Sequence, residues 1–328
     1  MREIVIDIYG ADAGPEPILK GAAKSIKEDK DLHLVFVGDK TTIISAMTEQ
    51  DIDSTRYTIL HTDKFIPATA APTCVFGAND DSSMVMAYEY LKTHESCLGM
   101  ISPGNTGALL VGSICRLGLI KGRKFPALSS AIPSLSGRLV CLVDCGGNID
   151  CQPTDLVNFA KMGNLFMQCM YANISPRIGL LSVGREDHKG NTLTKATFEL
   201  LKEEPLNFIG NMEGYDVITG YADVVVSDGF SGNILLKCQE GVGKSAIGIV
   251  EGYKGTTPEV DEVLSRISKQ LYQLFDLNSQ GGATFLGTSK TVIKMHGCAN
   301  DETTYACINQ LLRLEDAGFS KTLADALV

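Results

Sequence analysis

The sequence has no pair of cysteines spaced C-x-x-C, although ten of its 328 residues are cysteine. The ten are scattered and stand mostly within apolar runs, which is typical of reduced thiols that pack as small hydrophobic side chains. We therefore expect a cytoplasmic protein without a disulfide framework and without a zinc site.

Basic residues are also scarce, and no apolar run is long. The chain carries 29 Lys and Arg against 39 Asp and Glu, which gives a formal net charge of −10. Nucleic acids and anionic membranes bind preferentially to basic protein surfaces, so neither is expected as a general partner. An anionic ligand must therefore be bound by local groups. No stretch approaches the roughly 20 apolar residues that span a bilayer, and the polar start of the chain is not typical of a signal peptide.

Two nucleotide-binding motifs are missing as well. No G-x-G-x-x-G follows a predicted strand and opens a helix, which removes the main support for hydride transfer with a dinucleotide. The string G-V-G-K-S at 241–245 resembles the end of a Walker motif, but it lies within a predicted helix and lacks the upstream glycine. We therefore expect no cofactor and no metal.

Apolar strands and helical segments alternate along most of the chain, for example a strand at 4–8, a helix from about 16 and a strand at 32–37. This alternation predicts a three-layer α/β/α sandwich with a mostly parallel sheet, whose ligands bind at the carboxyl ends of the strands. The region 233–279 breaks the alternation. It is predicted to be a helical elaboration of a single α/β domain that spans residues 1–328.

Three predicted strands end in glycine-rich turns that contain an Asn and precede a helix. The turns are I-S-P-G-N-T-G-A-L at 101–109, L-V-D-C-G-G-N-I-D at 142–150 and V-V-V-S-D-G-F-S-G-N at 224–233. Such turns present free backbone N–H groups and small polar side chains where anionic ligands bind. A single turn is usually an ordinary connection, but three similar turns favour a phosphate site in one shared pocket.

A fourth loop concentrates charge in the string L-L-S-V-G-R-E-D-H-K-G-N at 180–191. Charged loops are usually only solvated, but this one also follows a predicted strand. Lys189 is therefore expected to reach a bound phosphate as a mobile point charge, and Arg185 to offer a forked donor.

These four loops, with F-I-G-N-M-E-G at 208–214 and G-G-A-T-F-L-G at 281–287, resemble the PlsX family over nearly the whole chain. That family comprises the acyl-acyl-carrier-protein:phosphate acyltransferases of bacterial phospholipid synthesis. The resemblance implies a fold related to isocitrate dehydrogenase and phosphotransacetylase, and a homodimer with its cleft at the dimer interface. It also implies that inorganic phosphate attacks an acyl thioester to give an acyl phosphate.

By match to the family's motifs, Lys189 and Asn233 are the catalytic pair. Phosphate is itself the nucleophile, so Lys189 need only hold the anion while the Asn233 amide stabilises the thioester oxyanion. The residues that we expect to bind substrate and phosphate are Asp7, Gly10, Asp12, Gly104, Asn105, Thr106, Gly107, Asp144, Gly146, Gly147, Asn148, Asp228, Ser231 and Gly232. Cys145 is either an inert small residue or, if a helix N-terminus lowers its pKa, a catalytic thiolate.

The chain departs from the family's pattern in three places. In the helical region it reads G-T-T-P-E at 255–259 where the family has basic, apolar-tipped helices. Ala11 and Ala13 stand where the family has Gly and His, and Asp80 and Asp81 stand where it is basic. Acidic carrier proteins and anionic membranes are both captured through basic patches. We therefore expect membrane contact that is at most peripheral and weak, and a donor range that extends from acyl carrier protein to coenzyme A thioesters.

Three alternatives stay open at this point. A local basic patch could form from Arg116, Lys121, Arg123 and Lys124. The enzyme could be a short-chain acyl-coenzyme A or protein-thioester phosphotransacylase. The protein could instead be a non-catalytic paralogue that binds an acyl group or phosphate.

Overall fold

The computed structural model describes residues 2–77, 79–121, 124–172, 174–255, 257–276 and 280–326. The chain divides into two compact units, with residues 1–128 and 281–328 in unit 1 and residues 129–280 in unit 2. The expectation that one folding domain covers both units stays a prediction.

The elements of unit 1 come from both ends of the chain. The first part contains β1 (Arg2–Asp7), α1 (Glu16–Glu28), β2 (Leu32–Gly38), α2 (Lys40–Glu49), β3 (Tyr57–His61), α3 (Ser83–Thr93), β4 (Cys97–Ser102) and α4 (Thr106–Gly112), which a π-helical turn, Ser113–Leu117, continues. Strand β5 (Ala127–Pro133) begins at the end of this part and continues into unit 2.

Unit 2 contains the rest of the central elements. They are β6 (Leu139–Val143), α5 (Pro153–Met170), β7 (Ile178–Leu181), α6 (Thr192–Glu203), β8 (Phe208–Met212), α7 (Asp216–Thr219), β9 (Val224–Val226), α8 (Gly229–Gly252) and α9 (Pro258–Phe275). The chain then returns to unit 1 through β10 (Ala283–Leu286), β11 (Thr291–Lys294), α10 (Asp301–Asp316) and α11 (Phe319–Ala326).

The strands of each unit are mostly parallel. Among the described strands of unit 1 the order is β3-β2-β1-β4-β11-β10; β10 is antiparallel to its neighbour β11, and the other neighbours are parallel. In the part of unit 2 that the structure describes, the order is β5-β6-β9-β7-β8; β5 is antiparallel to β6, and the other neighbours are parallel. The predicted three-layer architecture with a mostly parallel sheet is confirmed.

Each unit has a hydrophobic core formed by strands and the helices that cover them. In unit 1, α1 packs over β2 and α10 over β4 and β11, and a Cβ added at Gly21 would lie 2.1 Å from the carbonyl oxygen of Asp301. In unit 2, α5 lies on β6 and β9, and Gly163 brings its backbone against Val224. Because parallel strands are buried on both faces, their sequences are continuous apolar runs that can be recognised without a structure.

The sequence did not indicate β5 and β10, which are the antiparallel strands of their units. Strand β5 reads A-L-S-S-A-I-P and buries two serines, whereas β10 is only four residues long. By contrast, the predicted helical region after residue 233 is present as α8 and α9, which pack against each other where Gly243 meets Phe275. Within the described residues, no helix has both the length and the apolar character to cross a membrane.

Candidate active site

The turn after β9 is closed by its own side chains. Asp228 caps α8, since its carboxylate accepts hydrogen bonds from the backbone N–H and the hydroxyl of Ser231, at 2.8 and 2.9 Å. The N–H of Gly229, the first residue of α8, donates to the carbonyl oxygen of Asn148 at 2.7 Å. The expectation that these N–H groups are free for an anion is therefore wrong. Asn233 lies a full turn inside the helix rather than at its start.

The turn after β6 surrounds a buried carboxylate. Asp144 has no exposed surface, and it accepts hydrogen bonds from the backbone N–H groups of Gly146, Gly147 and Asn148 at 2.9, 2.8 and 2.9 Å. Burial raises the pKa of Asp144, against the lowering effect of these hydrogen bonds. We expected the three N–H groups to bind phosphate, but a carboxylate of the chain already occupies them. Asp144 thus organises this loop instead of contacting a ligand.

The β6 and β9 turns are packed tightly together. The hydroxyl of Ser227 donates to the carbonyl oxygen of Asp144 at 2.9 Å, and a Cβ added at Gly232 would lie 2.0 Å from the same oxygen. One residue further on, Oδ1 of Asn233 lies 3.5 Å from the position of an added Cβ at Gly146. These contacts bring two of the three predicted turns together and place the exposed Asn233 side chain beside the β6 turn.

Cys145 lies beneath this pair of turns and is 2% exposed. Burial and the adjacent carboxylate of Asp144 raise the pKa of its thiol well above the ordinary value. A nucleophilic cysteine needs the opposite environment, with a lowered pKa and access to the substrate. The catalytic alternative for Cys145 is therefore wrong, and the residue is a small hydrophobic side chain of the core.

The loop after β7 leaves one of its two candidate cations available. The guanidinium of Arg185 pairs with the buried carboxylate of Asp216 and lies 4.8 Å from the ring centre of Tyr221. Arg185 is thus committed to the protein. Lys189 is exposed, its stem lies over Gly184, and it forms no ion pair with any described carboxylate.

Unit 1 contributes a second set of predicted site residues. Asp7 ends β1 and is 1% exposed; it accepts hydrogen bonds from the hydroxyl of Ser102 at 2.7 Å and from the N–H of Tyr9 at 3.1 Å. Gly10 has φ +113°, and an added Cβ there would lie 2.7 Å from Cα of Gly104. Only glycine fits this approach of the turns after β1 and β4.

The other predicted residues of unit 1 have mainly structural partners. Asn105 caps α4 by accepting from the N–H of Ala108, and its amide donates to the carbonyl oxygens of Ala68 and Ala70 at 2.7 and 3.1 Å. Its side chain therefore fixes a loop and is not available as a phosphate donor. The three remaining positions show little that is specific to a ligand: Asp12 is exposed, Thr106 is exposed, and Gly107 lies against Pro72.

The buried Asp7 carboxyl predicts a pH dependence of stability. Burial raises its pKa from 3.8 to about 6, although the hydrogen bonds from serine hydroxyls and the charge of Lys294 lower it. The folded protein therefore binds this proton more tightly than the unfolded chain, so the stabilising contribution is complete below about pH 4 and is lost as the pH rises through 6. Relative to Asp7→Asn, we expect the wild type to lose about 2 kcal/mol of unfolding free energy between pH 4 and pH 7.

Urea unfolding of both proteins across this pH range measures the effect. The difference between their unfolding free energies should change with pH and level off above pH 7. Parallel curves would show that Asp7 has an ordinary affinity for its proton in the folded state.

Comparison with solved structures defines the class of fold. The chain is similar to a phosphotransacetylase from Streptococcus pyogenes, with a TM-score of 0.62, 17% identity, and coverage of 96% of this chain and 94% of the other. A branched-chain phosphotransacylase from Enterococcus faecalis V583 gives a TM-score of 0.58 and 14% identity, with coverage of 95% and 98%. The fold is therefore that of the phosphotransacetylase class.

Comparison of sequences then gives the family. Residues 2–322 match the family described as "Fatty acid synthesis protein". The chain is 40% identical over 316 residues to a phosphate acyltransferase of Bacillus subtilis (strain 168), and the aligned region covers 94% of this chain and 92% of the relative. It is 37% identical over 311 residues to a phosphate acyltransferase of Bacillus cereus (strain B4264), with 94% and 93% covered. The chain belongs to this family, and the resemblance to the PlsX family is confirmed.

Sequence reasoning assigned no role to two residues that the structure places against the Lys189 loop. Asn211 hydrogen-bonds to the carbonyl oxygen of Glu186, and Asp216 receives Arg185. The string F-I-G-N-M-E-G drew attention to this region, but a buried Asn within a strand signals only that some polar partner exists.

Proposed function

We propose that this protein is a phosphate acyltransferase that transfers an acyl group from a thioester to inorganic phosphate. A phosphate oxygen attacks the thioester carbonyl carbon, the new C–O bond forms as the C–S bond breaks, and the products are an acyl phosphate and a thiol. One observation carries the proposal. Among the described residues of the two packed turns and the β7 loop, Asp144, Asp228 and Arg185 are bonded within the protein, while Lys189 and Asn233 remain exposed in unit 2.

The chemistry assigned to these two residues follows from what each can donate. The Lys189 ammonium offers a positive charge for a phosphate dianion, and phosphate needs no covalent help because it is a competent nucleophile. The Asn233 amide offers N–H donors for the negative charge that develops on the thioester oxygen. Such a donor contributes most when it is held in place before the reaction, and the contact of Gly232 with Asp144 fixes the helix turn that carries Asn233.

The decisive experiment is a phosphate-dependent thiol-release assay with long- and short-chain thioesters of acyl carrier protein and coenzyme A. We expect turnover that requires phosphate and is unaffected by a chelator, because an amide and one lysine make up the proposed site. Activity that is abolished by chelation and restored by magnesium would contradict this composition of the site. Binding of thioester or phosphate without turnover would favour the non-catalytic paralogue.

The choice of acyl donor is a further part of the proposal. We propose that acyl carrier protein is the leading donor and that coenzyme A thioesters are also accepted, since Asp80 and Asp81 stand where the family is basic. Asp80 pairs with Arg116, and Asp81 pairs with Lys64. The side chain of Arg116 is only 19% exposed, so it adds little to the alternative basic patch. Lys121 and Lys124 are exposed, whereas Arg123 lies outside the described residues.

Donor competition and vesicle co-sedimentation, each at low and high salt, test these statements. We expect weak sedimentation with anionic vesicles and measurable use of coenzyme A thioesters. Tight, salt-sensitive vesicle binding together with exclusive use of long-chain acyl carrier protein would refute them. The homodimer implied by the family resemblance and the cytoplasmic location expected from the cysteine pattern belong to the same proposal, and sedimentation velocity of the pure protein measures the oligomeric state.

A further inference from the structure

The string F-I-G-N-M-E-G at 208–214 has no part in the proposed chemistry so far, yet its asparagine is among the most buried polar residues of unit 2. Asn211 is 2% exposed and lies near the end of β8, where it pairs in register with Leu180 of β7. Gly210 before it has φ +94°, and the register of the two strands shifts at this point. Such a bulge turns a side chain away from the direction it would have in a regular strand.

The amide of Asn211 reaches the loop that carries Lys189. Its Nδ2 donates to the carbonyl oxygen of Glu186 at 2.9 Å. The same oxygen accepts the backbone N–H of Lys189, also at 2.9 Å. One carbonyl therefore closes the turn of Lys189 and ties that turn to β8.

The rest of the loop is tied to the same region. The carboxylate of Asp216, 1% exposed, receives the guanidinium of Arg185 and the N–H of Glu213 at 2.9 Å. The stem of Lys189 lies against Gly184, where an added Cβ would stand 3.2 Å from its Cγ. The loop is thus restrained on two sides, and Asn211 provides the restraint nearest to Lys189 along the chain.

Only one end of the Asn211 amide is used in this arrangement. Its Oδ1 is buried and has no hydrogen-bond partner among the described residues. A buried acceptor without a partner costs stability, so an apolar residue would serve the fold at least as well as Asn in this respect. The feature that an apolar residue cannot replace is the Nδ2 donor to Glu186.

We propose that Asn211 is a positioning residue that holds Lys189 in the geometry required for phosphate transfer; this inference rests on the proposed function. Asn211 is buried and acts through the Glu186 carbonyl, without itself contacting phosphate or thioester. Removal of the donor frees the turn, and a displacement of about 1 Å at a reacting group can reduce a rate by up to about 10²-fold.

Two variants separate the donor from the packing of the side chain. Asn211→Ala and Asn211→Leu both remove the donor, but one decreases and the other increases the volume. Both are expected to lower turnover by between about 10- and 10²-fold. Asn207→Ala is the control, because its amide also donates to a main-chain carbonyl, that of Ser175 at 3.1 Å, but before the start of β8. This control should keep wild-type turnover. A loss in only one of the two Asn211 variants would indicate a packing defect and overturn the proposal.

A double-mutant cycle with Lys189 tests whether Asn211 acts through that lysine. In the Lys189→Ala background, Asn211→Ala is expected to change the remaining rate by less than about twofold, because the group it positions is already gone. An undiminished loss in that background would show an independent role and overturn the proposal.

Hydrogen exchange provides a readout that does not depend on activity. In Asn211→Ala, peptides covering 185–190 should exchange faster, while peptides covering β7 and α6 should keep wild-type protection. Unchanged exchange of 185–190 overturns the proposal. If the wild type releases no thiol from any donor, the proposed function fails, and faster exchange of 185–190 would still establish that Asn211 restrains the Lys189 turn.

Discussion

Replacement of Lys189 by alanine is expected to lower phosphate-dependent thiol release by about 10²-fold or more, in line with removal of one charge-stabilising donor from a preorganised site. The free energy of unfolding should change by less than about 0.5 kcal/mol, as at most exposed positions. The reason for the separation is structural. The lysine is exposed, its ammonium has no ion pair with a described carboxylate, and its aliphatic stem lies beside Gly184.

The measurement is the initial rate as a function of phosphate concentration, beside urea unfolding of the same preparation. Lys195→Ala is the matched control, because Lys195 is also an exposed lysine and lies at the start of α6, just after the loop. A wild-type rate in Lys189→Ala would show that Lys189 is an ordinary solvated residue of its loop with no part in the reaction. An equal loss in both variants would point to net charge rather than to a specific site.

The second large effect is expected at Asn233. Asn233→Ala should reduce turnover by about 10² to 10³-fold, which is the cost of removing one oxyanion donor. The phosphate concentration for half-maximal rate should change little, because we assign this amide to the thioester oxygen rather than to the phosphate. Asn233→Asp should be at least as impaired, since it replaces the donor with a negative charge at the place where negative charge develops.

Steady-state rates with thioester and phosphate varied in turn distinguish these effects. Ser245→Ala, at an exposed position further along α8, is the control for changes to the helix itself. Near-normal turnover in Asn233→Ala would remove this residue from the chemistry. A raised phosphate requirement with an unchanged maximal rate would instead place it at the anion.

The fold was accessible from the sequence because its signals are local. Parallel strands that are buried on both faces give continuous apolar runs, such as L-H-L-V-F-V-G in β2, and the helices between them begin with recognisable caps. The two antiparallel strands, β5 and β10, were not predicted because they lack this local signal. Strand β5 buries Ser129 and Ser130 within its run, and β10 reads A-T-F-L directly after Gly281 and Gly282.

The candidate site could be predicted only in part from the sequence. The glycine turns after the strands were correctly located, but the sequence does not show which of their N–H groups are free. One partner that was not predicted is local. Asp144 lies two to four residues before the N–H groups that donate hydrogen bonds to its carboxylate, which is a common pattern for aspartate in turns. The other was distant, because Gly229 donates to Asn148, which stands far earlier in the chain.

The sequence by itself determined the class of fold and the family, because apolar periodicity and long matching strings are properties of the chain alone. The tertiary structure decided which polar groups are already bonded within the protein. Asp144 occupies the N–H groups of its own turn, Asp216 receives Arg185, and burial makes Cys145 inert. A hydrogen bond or a pKa depends on the atoms that surround a group in space, and those atoms come from segments whose approach no local pattern encodes.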